Sequence, residues 1–279
     1  MASDPDADRV GAAVKNNEGE WVLLNGNQTA LMFVYYLITR WKELGKINGK
    51  EYIVKTIVTT ETIKTIAERN GVEMYDVYTG FKWIANVMRE NEGKKNYIGG
   101  GEESYGFLCE DFVRDKDAVS ACVILAEIAA WAKDQGLSLY QLLQKIYVEY
   151  GFSKEKGISV VKKGKSGAEE IEAMMKKFRE NPLTEIAGSK VTYFYDYSTL
   201  KGKDYAENET VTLDMPTTSN VLQYFTEDNT KVSIRPSGTE PKIKFYCEVH
   251  SKVKSIDELP EAEKAAEEKI NQIKASLGI

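Results

Sequence analysis

Up to about residue 147, short β-branched or alternating runs take turns with amphipathic stretches, an order that permits little besides a layered α/β domain. Residues 10–14 and 21–24 read as strands around the turn Asn16-Asn17-Glu18-Gly19. Asn27 is placed to cap a helix running to about 44. Residues 52–59 form a β-branched run, and 62–70 an amphipathic helix closed by Asn70-Gly71. A strand at 72–77, a helix at 81–90, a strand at 96–98 and helices at 117–135 and 138–147 complete the alternation. Beyond that point the pattern changes. Residues 152–162 alternate as a strand, and a helix at 167–180 ends at Asn181-Pro182. Extended stretches follow at 190–197, 211–214, 221–225, 231–234 and 243–249, then a charged helix at 259–277. This predicts a small α+β domain with a mostly antiparallel sheet. The expected division falls near residue 147. A chain of 279 residues is long enough to bury two cores.

Composition narrows the partners. Lys+Arg 37 against Asp+Glu 43 leaves a net charge of −6, which argues against nucleic acid or an anionic membrane as the main ligand. A local basic pocket for a small anion remains compatible with it. Cys109, Cys122 and Cys247 are scattered, without metal-ligand spacing, so a reduced, cytoplasmic setting is expected. The longest apolar stretch, 118–132, contains Glu127 and reads as a buried helix rather than a membrane span. The Lys/Glu-rich tracts at 153–179 and 258–274 read as solvated faces.

Three segments carry chemistry. Arg235-Pro236-Ser237-Gly238-Thr239-Glu240-Pro241-Lys242 packs two cations and two hydroxyls around a glycine, between prolines that each remove a backbone donor. It reads as a stiff loop rather than a central strand. Arg235 offers a planar fork and Lys242 a point charge, and N–H groups around Gly238 can form an anion nest. Phosphate is the simplest ligand; a plain polar turn is the alternative. Asp4-Pro5-Asp6-Ala7-Asp8-Arg9 spaces three carboxylates as hard ligands for Mg²⁺ or Ca²⁺. Arg9 and Lys15 stand where an EF-hand needs Gly and Glu. Gly99-Gly100-Gly101-Glu102-Glu103-Ser104-Tyr105-Gly106 is neither a P-loop nor a dinucleotide fingerprint. Read as a flexible loop, it offers Glu102 and Ser104 to sugar hydroxyls.

In this order the three motifs resemble those of the α-D-phosphohexomutase superfamily, the phosphoglucomutases and phosphomannomutases. Tyr105-Gly106-Phe107 is similar to the phosphoglucomutase/phosphopentomutase-like branch, and Thr79-Gly80-Phe81-Lys82-Trp83-Ile84 resembles a segment whose lysine lies near substrate phosphate. The resemblance implies mutase domain III at 15–147 and domain IV at 148–279, with 1–14 as the metal loop and end of domain II. It implies interconversion of sugar 1-phosphate and 6-phosphate through a phosphoserine and a bisphosphate intermediate. Asp4, Asp6 and Asp8 would hold Mg²⁺, and Arg9 would sit beside the transferring group. Lys82, Glu102, Ser104, Arg235, Ser237, Gly238, Thr239 and Lys242 would bind a hexose or pentose phosphate or a sugar bisphosphate. Lys82 could equally snorkel along its helix beside Phe81 and Trp83.

The family's Ser-His phosphoserine loop is not found here, since the one histidine is His250 and no Ser-His pair exists. The expectation is therefore a C-terminal half, from a truncated protein or a split gene, inactive alone and completed by N-terminal domains. A metal loop without its serine ligand is expected to bind Mg²⁺ weakly and to be disordered. A free-standing, non-catalytic sugar-phosphate-binding module is the alternative. An aspartate-nucleophile phosphatase using Asp4 and Asp6 is a weaker reading, because no hydrophobic strand precedes the pair.

Overall fold

The computed structural model describes residues 1–162, 164–238 and 240–279. They form two compact units, Met1–Phe152 with Val253–Ile256, and Ser153–Lys252 with Asp257–Ile279.

The first unit opens with an antiparallel sheet of β1 (Ala2–Ser3), β2 (Val10–Lys15) and β3 (Trp21–Leu24). Helix α1 (Gly26–Glu43) follows. Its cap is Asn25, not Asn27: Asn25 accepts from the Gln28 N–H at 2.8 Å and Gln28 returns a bond to the Asn25 N–H. Glutamine three residues after the cap makes a reciprocal box that Asn27 cannot match. Asn27 instead accepts from the Thr60 N–H at 3.0 Å. The main sheet has order β5-β4-β6-β7, from β4 (Glu51–Thr56), β5 (Glu73–Val77), β6 (Asn96–Gly101) and β7 (Phe107–Cys109). The strands β5, β4 and β6 are parallel, and β7 is antiparallel to β6. Between them run α2 (Thr62–Arg69) and α3 (Phe81–Asn91), and α4 (Ala118–Asp134) and α5 (Leu139–Tyr150) close the unit. α1 lies against β6, and α3 buries Phe81, Ile84 and Met88 with Tyr52 and Val54 of β4.

Two expectations fail here. The glycines of 99–101 are strand, not flexible loop. A Cβ at Gly100 would stand 2.4 Å from the Val54 carbonyl oxygen, and one at Gly101 2.5 Å from the Phe107 ring. Glycine is required there because neighbouring backbone and rings come too close for any side chain. α4 is not buried all round either: Val119 and Val123 are 67% and 62% exposed.

The second unit is an eight-stranded sheet of order β12-β11-β10-β13-β14-β15-β8, with β9 beside β10. Its strands are β8 (Phe152–Val161), β9 (Glu185–Ile186), β10 (Ser189–Asp196), β11 (Lys201–Asp204), β12 (Glu209–Thr212), β13 (Leu222–Thr226), β14 (Lys231–Pro236) and β15 (Lys242–Ser251). The neighbours from β12 to β15 pair antiparallel. Strand β11, Lys-Gly-Lys-Asp, carries no β-propensity and was not read from the sequence; the ring of Tyr195 fills the space where a Gly202 side chain would stand. Helices α6 (Gly164–Glu180) and α7 (Leu259–Leu277) pack against β14 and β15, burying Val232, Ile234, Phe245, Ile270 and Ile273. On the other face of the same strands, buried Glu248 binds Lys231 at 2.9 Å and His250 at 2.7 Å. Among the described residues no helix is long and apolar enough to cross a membrane.

Candidate functional site

In the first unit the carboxyl ends of β4, β5 and β6 deliver polar groups to one edge of the sheet, where open parallel sheets place their ligands. Chain leaving β6 turns tightly, with the Glu102 N–H bonded to the Gly106 carbonyl at 2.9 Å. Glu102 is buried, and its Oε1 accepts from the Gly80 N–H at 2.7 Å. It thus caps α3, whose own cap, Gly80 at φ 112°, has no side chain. Among the described residues Glu102 Oε2 makes no hydrogen bond. Ser104 is half-buried on the same turn. Glu103, left without a role by the sequence reading, accepts from Thr56 Oγ1 at 3.2 Å. Lys82 is exposed, with Nζ 5.0 Å from the Trp83 ring centroid, as a snorkelling lysine would be. The structure puts it on the helix that Glu102 caps but records no contact with the turn.

Asp4–Arg9 spans the turn of the β1–β2 hairpin. Asp4 Oδ1 accepts the N–H groups of Asp8 and Arg9, each at 3.1 Å, and this closes the loop locally. The Arg9–Gly106 bridge and the Val10 N–H bond to the Tyr105 carbonyl attach this loop to the Glu102 turn. Asp8 Oδ2 lies 2.9 Å from Lys116 Nζ, and Arg9 Nε 3.6 Å from Asp8 Oδ1. Among the described residues no group of three His, Cys, Asp or Glu side chains converges to hold a metal. The donors nevertheless suit Mg²⁺ in kind. All are hard oxygens, and Asp8 Oδ1 is a buried acceptor without a hydrogen bond.

Three further residues at this edge escaped the sequence reading. Lys55 is buried, with Nζ 2.9 Å from Glu61 and 2.7 Å from Asp76; a lysine inside a β-branched run was its signal. Lys116, from an acidic stretch, is the cation facing Asp8. Gly26 begins α1, where a Cβ would stand 2.0 Å from the Glu103 carbonyl oxygen. The helix start and the turn therefore touch backbone to backbone, and glycine at a helix start was the only hint.

In the second unit the expected loop is shorter than eight residues. Arg235 and Pro236 continue β14, and Lys242 begins β15, so only 237–241 lie between the strands. Pro236 ends its strand, where a lost donor costs least. The Ser237 N–H bonds the Lys242 carbonyl at 2.8 Å, and the Glu240 N–H bonds Ser237 Oγ at 3.3 Å. Ser237 N–H therefore closes the loop and is not part of an anion nest. Gly238 is exposed, and a Cβ there would meet nothing within 4 Å. Thr239 lies outside the described residues. Lys242 pairs with the exposed Glu240 at 2.7 Å. Lys244, missed from the sequence, stands directly across from Arg235 in the strand register. Two cations so placed share a face with Cβ atoms roughly 5 Å apart, and like charges there repel. Among the described residues neither forms a close ion pair, although Glu240 acts on Lys244 through space, and an anion between them would relieve the repulsion.

The two domains match known families. Residues 25–150 match the phosphoglucomutase/phosphomannomutase alpha/beta/alpha domain III, and 159–266 the C-terminal domain of the same family. A phosphoglucomutase of Staphylococcus aureus (strain MRSA252) is 38% identical over 246 residues, covering 88% of this chain and 44% of its own. One from Staphylococcus haemolyticus is 34% identical, with 90% and 44% covered. The chain thus spans under half the length of the curated relatives it matches. Among solved structures, the Paramecium phosphoglucomutase parafusin aligns with TM-score 0.58 at 18% identity, over 91% of this chain and 40% of its own. A putative phosphomannomutase from Thermus thermophilus aligns with TM-score 0.57 at 20% identity, over 95% and 45%. These two show a shared fold.

Proposed function

The chain belongs to the phosphoglucomutase/phosphomannomutase family, and from that premise we propose that it is the C-terminal half of a phosphohexomutase. The whole enzyme would interconvert sugar 1-phosphates and 6-phosphates through a phosphoserine and a bisphosphate intermediate. This half would recognise the sugar phosphate and be inactive alone. The observation that carries the reading is the pair Arg235 and Lys244, directly opposed at the mouth of the 237–241 loop.

In this reading Arg235, Lys244, Ser237, Gly238 and Thr239 hold the phosphate that is not reacting, and Lys242 tunes the loop through Glu240. Glu102 and Ser104 bond sugar hydroxyls, and Lys82 serves phosphate from α3. A substrate that must bind in both directions needs one fixed anion clamp and a sugar site tolerant of reversal. Asp4, Asp6 and Asp8 would hold Mg²⁺, which neutralises charge on a transferring phosphoryl group when bound. Arg9 would sit beside that group. The phosphoserine itself is left to the other half. A reduced, cytoplasmic setting accompanies the proposal; Cys109, Cys122 and Cys247 are free thiols, and burial pushes Cys247 up to about 12.

Calorimetric titration with glucose 1,6-bisphosphate, with and without Mg²⁺, tests it. A charge-assisted bond contributes about 1.5–3 kcal/mol, so Arg235→Ala should weaken binding roughly 10- to 150-fold. No binding by the unaltered chain, or equal binding by the variant, would refute it.

A further inference from the structure

The turn that carries Glu102 and Ser104 is held against its own preference. Tyr105 lies at φ 72°, a left-handed conformation that a bulky non-glycine residue keeps only where its surroundings impose it. Part of that imposition is a buried hydroxyl chain. Thr56 ends β4, and its Oγ1 donates to Glu103 Oε2 at 3.2 Å while lying 2.8 Å from Thr59 Oγ1. A hydroxyl has one proton to give, so Thr59 is the donor in the second bond. Both threonines are fully buried. The far end of the chain is fixed as well. Lys55 Nζ reaches the carbonyls of Thr56 at 3.5 Å and Thr59 at 3.4 Å, besides Glu61 and Asp76. The first turn of α1 holds both sides, since Asn27 accepts the Thr60 N–H and Gly26 abuts the Glu103 backbone.

We propose that Glu103 is the positioning residue of the sugar site. It touches no sugar. Anchored to the end of β4 by the Thr59–Thr56 chain, it fixes the backbone on either side and so sets where Glu102 and Ser104 meet a sugar hydroxyl. The proposal rests on the functional reading above, which gives those two residues that task. What matters at residue 103 is then an acceptor within reach of Thr56, not a negative charge.

Two readouts on the full 279-residue chain test it. One is calorimetric titration with glucose 1,6-bisphosphate and, separately, with inorganic phosphate. The other is amide exchange by NMR at Gly80 and Glu102, whose N–H groups bond Glu102 Oε1 and the Gly106 carbonyl. Thr56→Val and Glu103→Ala should each weaken bisphosphate binding and speed both exchanges roughly fivefold, the worth of one buried hydrogen bond. The double variant should do no more than either alone, because both changes break the same link. Inorganic phosphate, which reads the clamp of the second unit, should bind unchanged. Thr56→Ser and Glu103→Gln keep the donor and the acceptor and should restore both readouts. Effects that multiply in the double variant would overturn the assignment, as would an equal loss of phosphate affinity. A lowered thermal midpoint with parent-like binding and exchange would make the link merely structural. A loss in Glu103→Gln as large as in Glu103→Ala would make charge the cause and sink the idea. If Thr56→Val does not fold, the comparison of Glu103→Ala with Glu103→Gln decides alone. If the unaltered chain does not bind bisphosphate, the functional reading fails, and the exchange rates still decide whether Glu103 positions the turn.

Discussion

Replacing Gly26 by Ala inverts an ordinary rule. Glycine inside a helix is destabilising by roughly 0.5–1 kcal/mol relative to alanine, so the substitution should stabilise α1. Here the new methyl would stand 2.0 Å from the Glu103 carbonyl oxygen, 2.6 Å from the Glu103 carbonyl carbon and 2.7 Å from the Tyr105 nitrogen. Ordinary contact begins near 3.4 Å, so backbone must move by about 1.4 Å. All three atoms are main chain, and no rotamer change relieves them. Overpacking of this kind costs about 1–3 kcal/mol, which matches or exceeds the helix gain and leaves a net loss of up to about 2.5 kcal/mol. The displaced backbone is the turn that carries Glu102 and Ser104. Displacing that turn moves both groups from the positions a sugar would meet, so bisphosphate affinity should fall along with stability. Urea unfolding and calorimetric titration of Gly26→Ala read both. A variant at least as stable as the parent, with unchanged affinity, would refute the claim that this glycine sets the turn.

Three other perturbations test neighbouring parts of the argument. Lys244→Ala should weaken bisphosphate binding nearly as much as Arg235→Ala, and Lys242→Ala should have the smaller effect, because Lys242 is held by Glu240; titration of the three variants decides the order. Lys55→Met removes the buried ammonium that pairs with Glu61 and Asp76, and since both carboxylates are partly exposed the loss should be about 2 kcal/mol in urea unfolding. Burial works to lower the pKa of His250, but the charge and hydrogen bond of Glu248 outweigh it, with Glu155 adding and Lys231 opposing, and hold it above 6.5. A raised histidine contributes stability that is complete below about 6.5 and lost as pH rises through the folded value. Unfolding midpoints should therefore decline above neutral pH in the parent and not in His250→Gln, and the single imidazole resonance should titrate above its ordinary value.

Much of the architecture was legible as pattern. The change near residue 147 from alternating strands and helices to successive extended runs is local hydrophobic periodicity, which a chain carries without knowing its partners. The terminal helix was read with its observed bounds, Leu259–Leu277, since Pro260 near its start and Gly278 beyond its end punctuate it. Strand β11 was not legible, because Gly202 is accommodated by the ring of Tyr195 on another strand.

The amino-acid order by itself determined which chemical groups are present: three aspartates on a tight turn, Glu102 and Ser104 after a glycine run, and cations around a Ser-Gly-Thr loop. Short-range spacing is enough to specify such groups. Tertiary structure alone decided how each is used. Glu102 gives one oxygen to the N-terminus of α3, 22 residues upstream at Gly80. Lys242 is turned to Glu240 while Lys244 faces Arg235. Glycines 99–101 serve packing, not motion. Register across strands and close approach of backbones are set by residues distant in sequence, and a lysine's partner depends on which strand lies beside it.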